Sequence, residues 1–556
     1  MNTRRDFLRL VGCGVAGMLS GCSMFPASVA KTMPGKKTAA SRSNIIVILV
    51  DDMGFSDLGC YGSEISTPNI DALAANGLRF TQFYNGARCC PSRASLLTGL
   101  YAHQTGLGDT ISNDKKVPGY RGRLNDECVT IADVLRSAGY FTAMSGKWHV
   151  GDWAGVVPWT RGFDRSLNVS AATGFYHLDG PNPRLFLNGK ALANDDSVLP
   201  KDWYTTDVFT DFGMKFIDEA LASKRPFFLY LAYNAPHTPI QAPASDIAKY
   251  RGKYKAGWDK LREQRYAKQI SLGIVDKGCP LSPRPDDVKA WDSLTPAEQD
   301  RFDHIMSIYA ACVDHLDQAV GRLVANLRQR GVLDNTMILF LSDNGAESAS
   351  HSNKMHDPNG SLEGDSPGDA KSVVYQGASW ATLSDTPFRL YKRFSHEGGI
   401  STPLIAHWPA HIAAKGELRT QPGHIVDLMA TCVDVSGAKY PAEFNGKQII
   451  PMEGKSLLPV FENKPIERDA IYWEHEGNAA VRAGDLKLAR VGREGAWELY
   501  DMKTDRAELR NLAPEKPDMV KELFAKWEAW AIRTNVKPYS DPQKPGGRKK
   551  KAKGKQ

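Results

Sequence analysis

Asn44-Ile45-Ile46-Val47-Ile48-Leu49-Val50-Asp51-Asp52 is an apolar run closed by two carboxylates. It has the length of a strand and no polar alternation. That is the pattern of a strand buried on both faces, as in parallel sheets covered by helices. Working outward, Thr67-Pro68 opens a helix that continues through Ala72 to Ala75 and is closed by Gly77. A second helix is expected from about Thr130 to Ala138, stopped by Gly139, with a strand from Tyr140 to Met144 behind it. Phe227 to Tyr233 and Thr336 to Leu341 repeat the buried-strand pattern. This alternation predicts an α/β domain with a large, mostly parallel mixed sheet flanked by helices.

In such sheets ligands bind beyond the carboxyl ends of the strands. The first strand here ends in Asp51-Asp52, and Tyr140 to Met144 leads to Lys147 and His149. Phe227 to Tyr233 leads to His237, and Thr336 to Leu341 leads to Asp343-Asn344. Alone, Asp51-Asp52 reads as a turn after a strand. Together with Asp343 and Asn344 it offers hard oxygen donors from separate strand ends, a set that suits Ca²⁺ or Mg²⁺ better than zinc.

The texture changes near Ile466. Ala470 to Trp473, Ala479 to Val481, Leu486 to Ala489 and Trp497 to Tyr500 read as short, closely spaced strands, and Val520 to Ile532 as an amphipathic helix. We therefore expect a main domain over 44–465 and a small antiparallel sheet with one helix over 466–536. Residues 537–556 form a basic tail of low complexity, read as solvated and disordered.

At the other end, Thr3-Arg4-Arg5-Asp6-Phe7-Leu8 is a twin-arginine pattern followed by a mildly apolar run too short to span a bilayer. Leu19-Ser20-Gly21-Cys22 resembles a lipobox, which would make 1–22 the signal and Cys22 a lipidated residue; cleavage after Ser28-Val29-Ala30 is the competing reading. Residues 23–43 read as a linker. The expected location is the periplasm or cell envelope, reached through the twin-arginine machinery as a folded chain. The net charge of +7 lies partly in the tail, and no motif points to nucleic acid. Nine cysteines in 556 residues are too few for a disulfide scaffold, and no C-x-x-C spacing suggests zinc.

The remaining informative stretch is Cys89-Cys90-Pro91-Ser92-Arg93-Ala94-Ser95-Leu96-Leu97-Thr98-Gly99. Pro91 suits the first position of a helix, so the thiols would face backbone N–H groups and the positive end of the helix dipole. Arg93 adds a planar fork for anion oxygens.

The spacing C-x-P-S-R-x-x-x-L-T-G resembles the signature of the type I sulfatases, in the alkaline phosphatase superfamily. Further stretches are similar to that family, closest to its bacterial arylsulfatases. They are Ser145-Gly146-Lys147-Trp148-His149-Val150-Gly151, Asn234-Ala235-Pro236-His237-Thr238-Pro239, Arg389-Leu390-Tyr391-Lys392 and His396-Glu397-Gly398-Gly399. The likeness runs from Asn44 to about Val536.

The resemblance implies that a maturation enzyme oxidises Cys89 to Cα-formylglycine. It implies one Ca²⁺ per chain, with Mg²⁺ as the alternative, held by Asp51, Asp52, Asp343, Asn344 and the oxygen at position 89. The hydrated aldehyde would attack sulfur in line, with Asp343 taking a proton. Arg93, Lys147 and Lys392 would offset sulfuryl charge, His237 would protonate the leaving oxygen, and His149 would take the second hydroxyl's proton as sulfate leaves. The expected substrate is a sulfate monoester: an aryl sulfate and a sulfated carbohydrate or alkyl sulfate. Alternatives are a phosphonate monoester or phosphodiester hydrolase using the same aldehyde, and an inactive protein that binds sulfated glycans. Residues 346–379 and 151–202 and the C-terminal sheet are the expected substrate contacts, with Phe175-Tyr176-His177 as stacking or core aromatics. A monomer is the default.

Overall fold

The protein was analysed as a computed structural model that describes residues 42–111, 114–171, 174–176, 185–353 and 355–536. The twin-arginine pattern, Cys22, His177 and the basic tail lie outside the described residues. Among the described residues no helix is long and apolar enough to cross a membrane.

Among the described residues the strand Asn44–Val50 lies inside an eleven-stranded sheet. It pairs in parallel with Phe227–Ala232 on one side and Thr336–Ser342 on the other. Beyond Phe227–Ala232 come the parallel strands Phe141–Lys147 and Arg165–Val169. Beyond Thr336–Ser342 the sheet turns mixed, because Ser401–His407 runs antiparallel to both Thr336–Ser342 and Leu78–Tyr84. The sheet is thus large, mostly parallel and mixed, as expected. One boundary differs: the strand expected to stop at Met144 runs on to Lys147. Glycine makes this possible. A Cβ on Gly146 would fall 1.8 Å from the Ala232 carbonyl oxygen, so only glycine lets the two strands pair there.

The unbroken apolar character of Asn44–Val50 follows from its two cores. Ile46, Ile48 and Val50 pack on one side with residues of the helices Thr205–Ala222 and Pro296–Gln329. Ile45, Val47 and Leu49 pack on the other with Cys89–Thr98, Ile131–Ser137 and Asp427–Ser436. Each such buried side chain contributes roughly 1.5–3 kcal/mol of transfer free energy. Pro296–Gln329 owes its start to a reciprocal cap: Glu298 N donates to Thr295 Oγ1 at 3.2 Å, and Thr295 N donates to Glu298 Oε2 at 2.8 Å.

Three helices on the first face are tied by one histidine. His315 meets Asp246 Oδ2 through Nδ1 at 2.7 Å and Asp207 Oδ2 through Nε2 at 3.1 Å. Burial opposes its charge, but the two aspartates outweigh burial and raise its pKa. A raised folded-state pKa stabilises fully below the unfolded value near 6.5 and ceases to do so as pH climbs through the folded value. The melting temperature should therefore drop as pH rises above about 6.5 in a way that His315→Gln abolishes, an effect of ~1–3 kcal/mol. Identical pH profiles for the two proteins in thermal unfolding would remove His315 from this role.

The C-terminal residues form a four-stranded antiparallel sheet in sequence order: Ile471–His475, Asn478–Ala483, Leu486–Arg490 and Glu498–Asp501. The helix Pro517–Arg533 covers one face through Leu523, Trp527 and Trp530. The other face meets the main sheet, where Trp473, Ala480 and Ala489 pack on Tyr84 and Ile400. A buried ionic web joins the two: Lys487 pairs with Glu397 at 3.0 Å and with Glu508 at 2.8 Å, and Arg506 pairs with Glu397 at 3.0 Å. The described residues from Arg42 to Val536 form one compact unit.

Candidate active site

The carboxyl ends of Asn44–Val50, Leu78–Tyr84, Phe141–Lys147, Phe227–Ala232 and Thr336–Ser342 share one edge of the sheet. The residues expected to form the catalytic and metal site arrive there. Asp51 and Asp52 follow the first strand, Lys147 ends its strand, and Asp343 and Asn344 follow theirs. Lys392 comes from the loop before the antiparallel strand Ser401–His407. Several non-glycine residues of this edge hold the left-handed backbone: Asp52 (φ 66°), Ala87 (φ 63°), His149 (φ 58°), Leu390 (φ 63°) and Arg393 (φ 84°). Such conformations cost of order 1–3 kcal/mol each and concentrate where side chains must be aimed.

Cys89 opens the helix Cys89–Thr98 with Arg88 as its N-cap. This corrects the reading that both thiols precede the helix and that Pro91 starts it. Pro91 is the third residue, still inside the first turn, where a missing N–H costs nothing. The exposed N–H groups and dipole of the helix therefore act on Cys89 directly. Cys89 is 4% exposed. A hydrogen bond from Cys90 is the main reason its thiol titrates well below the ordinary range; burial opposes this, and Lys147 and His149 assist it. Burial pushes Cys90 the other way, so Cys90 keeps its S–H. Cys90 Sγ lies 3.4 Å from His149 Nε2. Burial also lowers the pKa of His149, favouring the neutral ring, and leaves its Nδ1 without a partner.

A cage of oxygens lies beside this helix. Lys147 Nζ donates to Asp51 Oδ2 at 2.5 Å. Arg93 donates to Asp343 Oδ2 from Nε at 3.0 Å and Nη2 at 2.8 Å, and to the Lys147 carbonyl from Nη1 at 3.1 Å. Asn344 Nδ2 donates to Asp52 Oδ1 at 2.7 Å. Lys392 Nζ lies 2.7 Å from Asp52 Oδ1, and His237 Nε2 3.5 Å from Asp52 Oδ2. Gly345 lets the loop close on the segment after Lys392, since a Cβ there would sit 1.9 Å from the Gly398 carbonyl oxygen.

The residues fit a hard cation. Asp51 Oδ1 and Asn344 Oδ1 are buried acceptors with no hydrogen-bond partner. Unmet buried acceptors are costly unless something positive meets them. The charge balance agrees. Burial would raise Asp51, yet Lys147, His237 and Arg93 hold it well below the carboxylate range. Burial and the Asp51 charge together drive Asp343 well above it, so the two carboxylates are short of positive charge between them. A bound dication would remove that conflict.

Two neighbours carried no signal in the sequence. Glu347 is buried, pairs with Lys392 at 3.0 Å and Arg393 at 3.4 Å, and is held at about 2, with Lys392 and Arg393 outweighing burial. Arg88 reaches Glu476 at 3.8 Å, and its Nε is buried without a partner. Nothing but position sets either apart from an ordinary surface charge. Phe175 is core and Tyr176 packs half-buried against it: their rings lie on Tyr204 with centroids 5.4 and 5.0 Å away.

The family model described as Sulfatase matches residues 43–438, and one described as N-sulphoglucosamine sulphohydrolase, C-terminal, matches residues 388–530. An uncharacterized sulfatase of Schizosaccharomyces pombe is 36% identical over 539 residues, covering 90% of this chain and 95% of that one. An arylsulfatase of Klebsiella aerogenes is 33% identical over 457 residues, covering 80% and 98%. Among solved structures, Ps i-CgsB in complex with k-i-k-neocarrahexaose superposes with a TM-score of 0.64 at 27% identity, covering 88% of this chain and 93% of that one.

Proposed function

The chain belongs to the type I sulfatases, sulfuric ester hydrolases of the alkaline phosphatase superfamily, and on that footing we propose that it cleaves aryl sulfates and the sulfate ester of a carbohydrate or alkyl alcohol through an oxidised Cys89. The observation that carries this reading is the placement of Cys89: buried at a helix N-terminus, among Lys147 and His149, beside a cage with two unmet acceptors. The relatives named above support the substrate class.

Asp51, Asp52, Asp343 and Asn344 would hold one Ca²⁺, which supplies positive charge to the sulfuryl oxygens and lowers the pKa of an oxygen bound to it. Residue 89, matured to Cα-formylglycine, would supply a hydrated aldehyde with two hydroxyls, one to attack sulfur and a second whose deprotonation would let sulfate leave and the aldehyde return. No water need attack sulfur. The other steps fall to fixed side chains. Asp343 takes the proton of the attacking hydroxyl. Arg93, Lys147 and Lys392 offset charge on the sulfuryl oxygens, and all three are held in place by carboxylates. His237 Nδ1 faces the Thr238 carbonyl at 2.5 Å. A carbonyl only accepts, so Nδ1 keeps its hydrogen, and the proton delivered to the leaving oxygen is the second one of the imidazolium form, carried on Nε2, 3.5 Å from Asp52 Oδ2. His149, buried and favoured as the neutral ring, receives the proton of the second hydroxyl.

His237→Ala should slow alkyl or sugar sulfates by roughly 10²–10⁴-fold, the scale of a lost general acid. Nitrophenyl sulfate, whose leaving oxygen needs no proton, should fall far less. Equal losses on both would remove His237 as the acid. The competing phosphonate monoester or phosphodiester chemistry is separated by rates on nitrophenyl sulfate and a phenylphosphonate ester, where the sulfate should be preferred. One divalent ion with the cationic side chains suits the single charge of a sulfate monoester.

The proposal extends to the cell. A formylglycine-forming enzyme matures Cys89, the twin-arginine machinery exports the folded chain, and Cys22 carries a lipid anchor that keeps a monomer at the cell envelope. The sequence pattern at residues 1–22 supports this reading.

A further inference from the structure

Outside the oxygen cage, three ligand-capable side chains converge. Asp109 lies in the loop after the short helix Ala102–Thr105. His475 ends the strand Ile471–His475, and Glu476 forms the turn that follows, in a left-handed conformation (φ 51°). One ligand-capable atom from each lies within 4.8 Å of the other two.

The tautomer of His475 is set by its surroundings. Its Nδ1 lies 3.3 Å from the Gly108 carbonyl oxygen, which only accepts, so Nδ1 carries the hydrogen. In the neutral ring Nε2 is then a bare lone pair. His475 is 1% exposed, and its Nε2 has no hydrogen-bond partner. The group facing that lone pair is another acceptor, Glu476 Oε1 at 3.6 Å.

The flanking cations do not bridge these atoms. Arg88 Nη1 stands 3.8 Å from Glu476 Oε1, beyond hydrogen-bond range. Lys115 Nζ is engaged with Asp109 Oδ2, and Asp109 Oδ1 accepts from Thr110 N at 2.7 Å. A lone pair directed at carboxylates is repulsive unless a cation sits between them. The Nε2 to Oε1 separation is close to the ~3.3 Å between two ligands that bind one zinc at about 2.0–2.1 Å with tetrahedral geometry.

We propose that Asp109, His475 and Glu476 form a second metal site, for a zinc-like divalent transition ion, which clasps the C-terminal sheet to the loop 106–111 next to the cysteine helix. An imidazole in the donor set selects against Ca²⁺ and separates this site from the all-oxygen cage. Sequence spacing does not announce it, because its ligands come from distant parts of the chain.

Equilibrium dialysis of the full chain against Co²⁺ or Zn²⁺, with Ca²⁺ in large excess, tests the site. One transition ion per chain should be retained. His475→Gln and Glu476→Gln should each weaken binding by about tenfold or more, whereas Cys89→Ala and Asp51→Asn should leave it unchanged. Glu476 sits on an accessible turn, so its variant reports on the metal even where loss of His475 disturbs folding. Failure to retain an ion, unchanged binding in both the His475 and Glu476 variants, or loss of the ion with Cys89→Ala would each overturn the assignment.

Discussion

Cys89→Ala is expected to abolish sulfate ester hydrolysis, with a loss of about 10⁴–10⁶-fold, the scale at which removing a nucleophile is felt. The fold should survive, because the substitution removes one sulfur from the first turn of a helix whose other residues are all buried against the sheet. Cys89→Ser should be as inactive in turnover. An unoxidised hydroxyl has no second oxygen from which to expel sulfate, so a serine can at most accept a sulfuryl group once. Cys90→Ala separates the two thiols. Cys90 steadies its neighbour and His149 by hydrogen bonding, which is worth about 0.5–1.5 kcal/mol or roughly tenfold. Full activity in Cys89→Ala, or a loss confined to Cys90→Ala, would place the chemistry elsewhere.

The second large effect concerns the ion. Exhaustive chelation should stop turnover, and Ca²⁺ should restore it better than Mg²⁺, because Asp51, Asp52 and Asp343 with Asn344 offer more protein donors than the one or two carboxylates that usually hold Mg²⁺. A dication on a sulfuryl oxygen is worth several kcal/mol of transition-state stabilisation, which at about 1.4 kcal/mol per decade is a hundredfold or more. Asp51→Asn and Asn344→Ala should raise the Ca²⁺ concentration needed for half-maximal rate, since each alters a ligand with an otherwise unmet oxygen, Asp51 Oδ1 or Asn344 Oδ1. Chelation should also lower the melting temperature, because Asp343 would again face Asp51 without compensation. A rate that persists in excess chelator would contradict the oxygen-cage reading.

The core of the sheet was legible for a physical reason. Asn44–Val50, Phe227–Ala232 and Thr336–Ser342 are buried on both faces, and that burial leaves an unbroken apolar run in the sequence. Ser401–His407 leaves no such trace. Pro403 argues against a central strand, and the pairing register with Leu78–Tyr84 shifts between Thr402 and Leu404, on either side of it. Leu78–Tyr84 is hidden differently: Arg79 and Gln82 break its apolar run although the strand lies inside the sheet. In the site, carboxylates and histidines just past strand ends were readable because the sheet itself delivers them to one edge. Glu347 and Arg88 were not, since a charged residue in a loop looks the same whether it is solvated or locked against Lys392 or Glu476. The start of the cysteine helix was misjudged by two residues because proline tolerates any position of a first turn. The ligands of the second proposed metal site are recognisable only once the loop at Asp109 and the hairpin at His475 are folded together.

Everything in the mechanism turns on the chemical state of position 89. Mass spectrometry of the peptide spanning Cys89 to Arg93, taken from enzyme that has just been shown to hydrolyse nitrophenyl sulfate, tests that state directly. The account predicts an aldehyde at position 89 with the sulfur gone, in proportion to the specific activity of the preparation. Fully active enzyme whose position 89 still carries an intact thiol would contradict it.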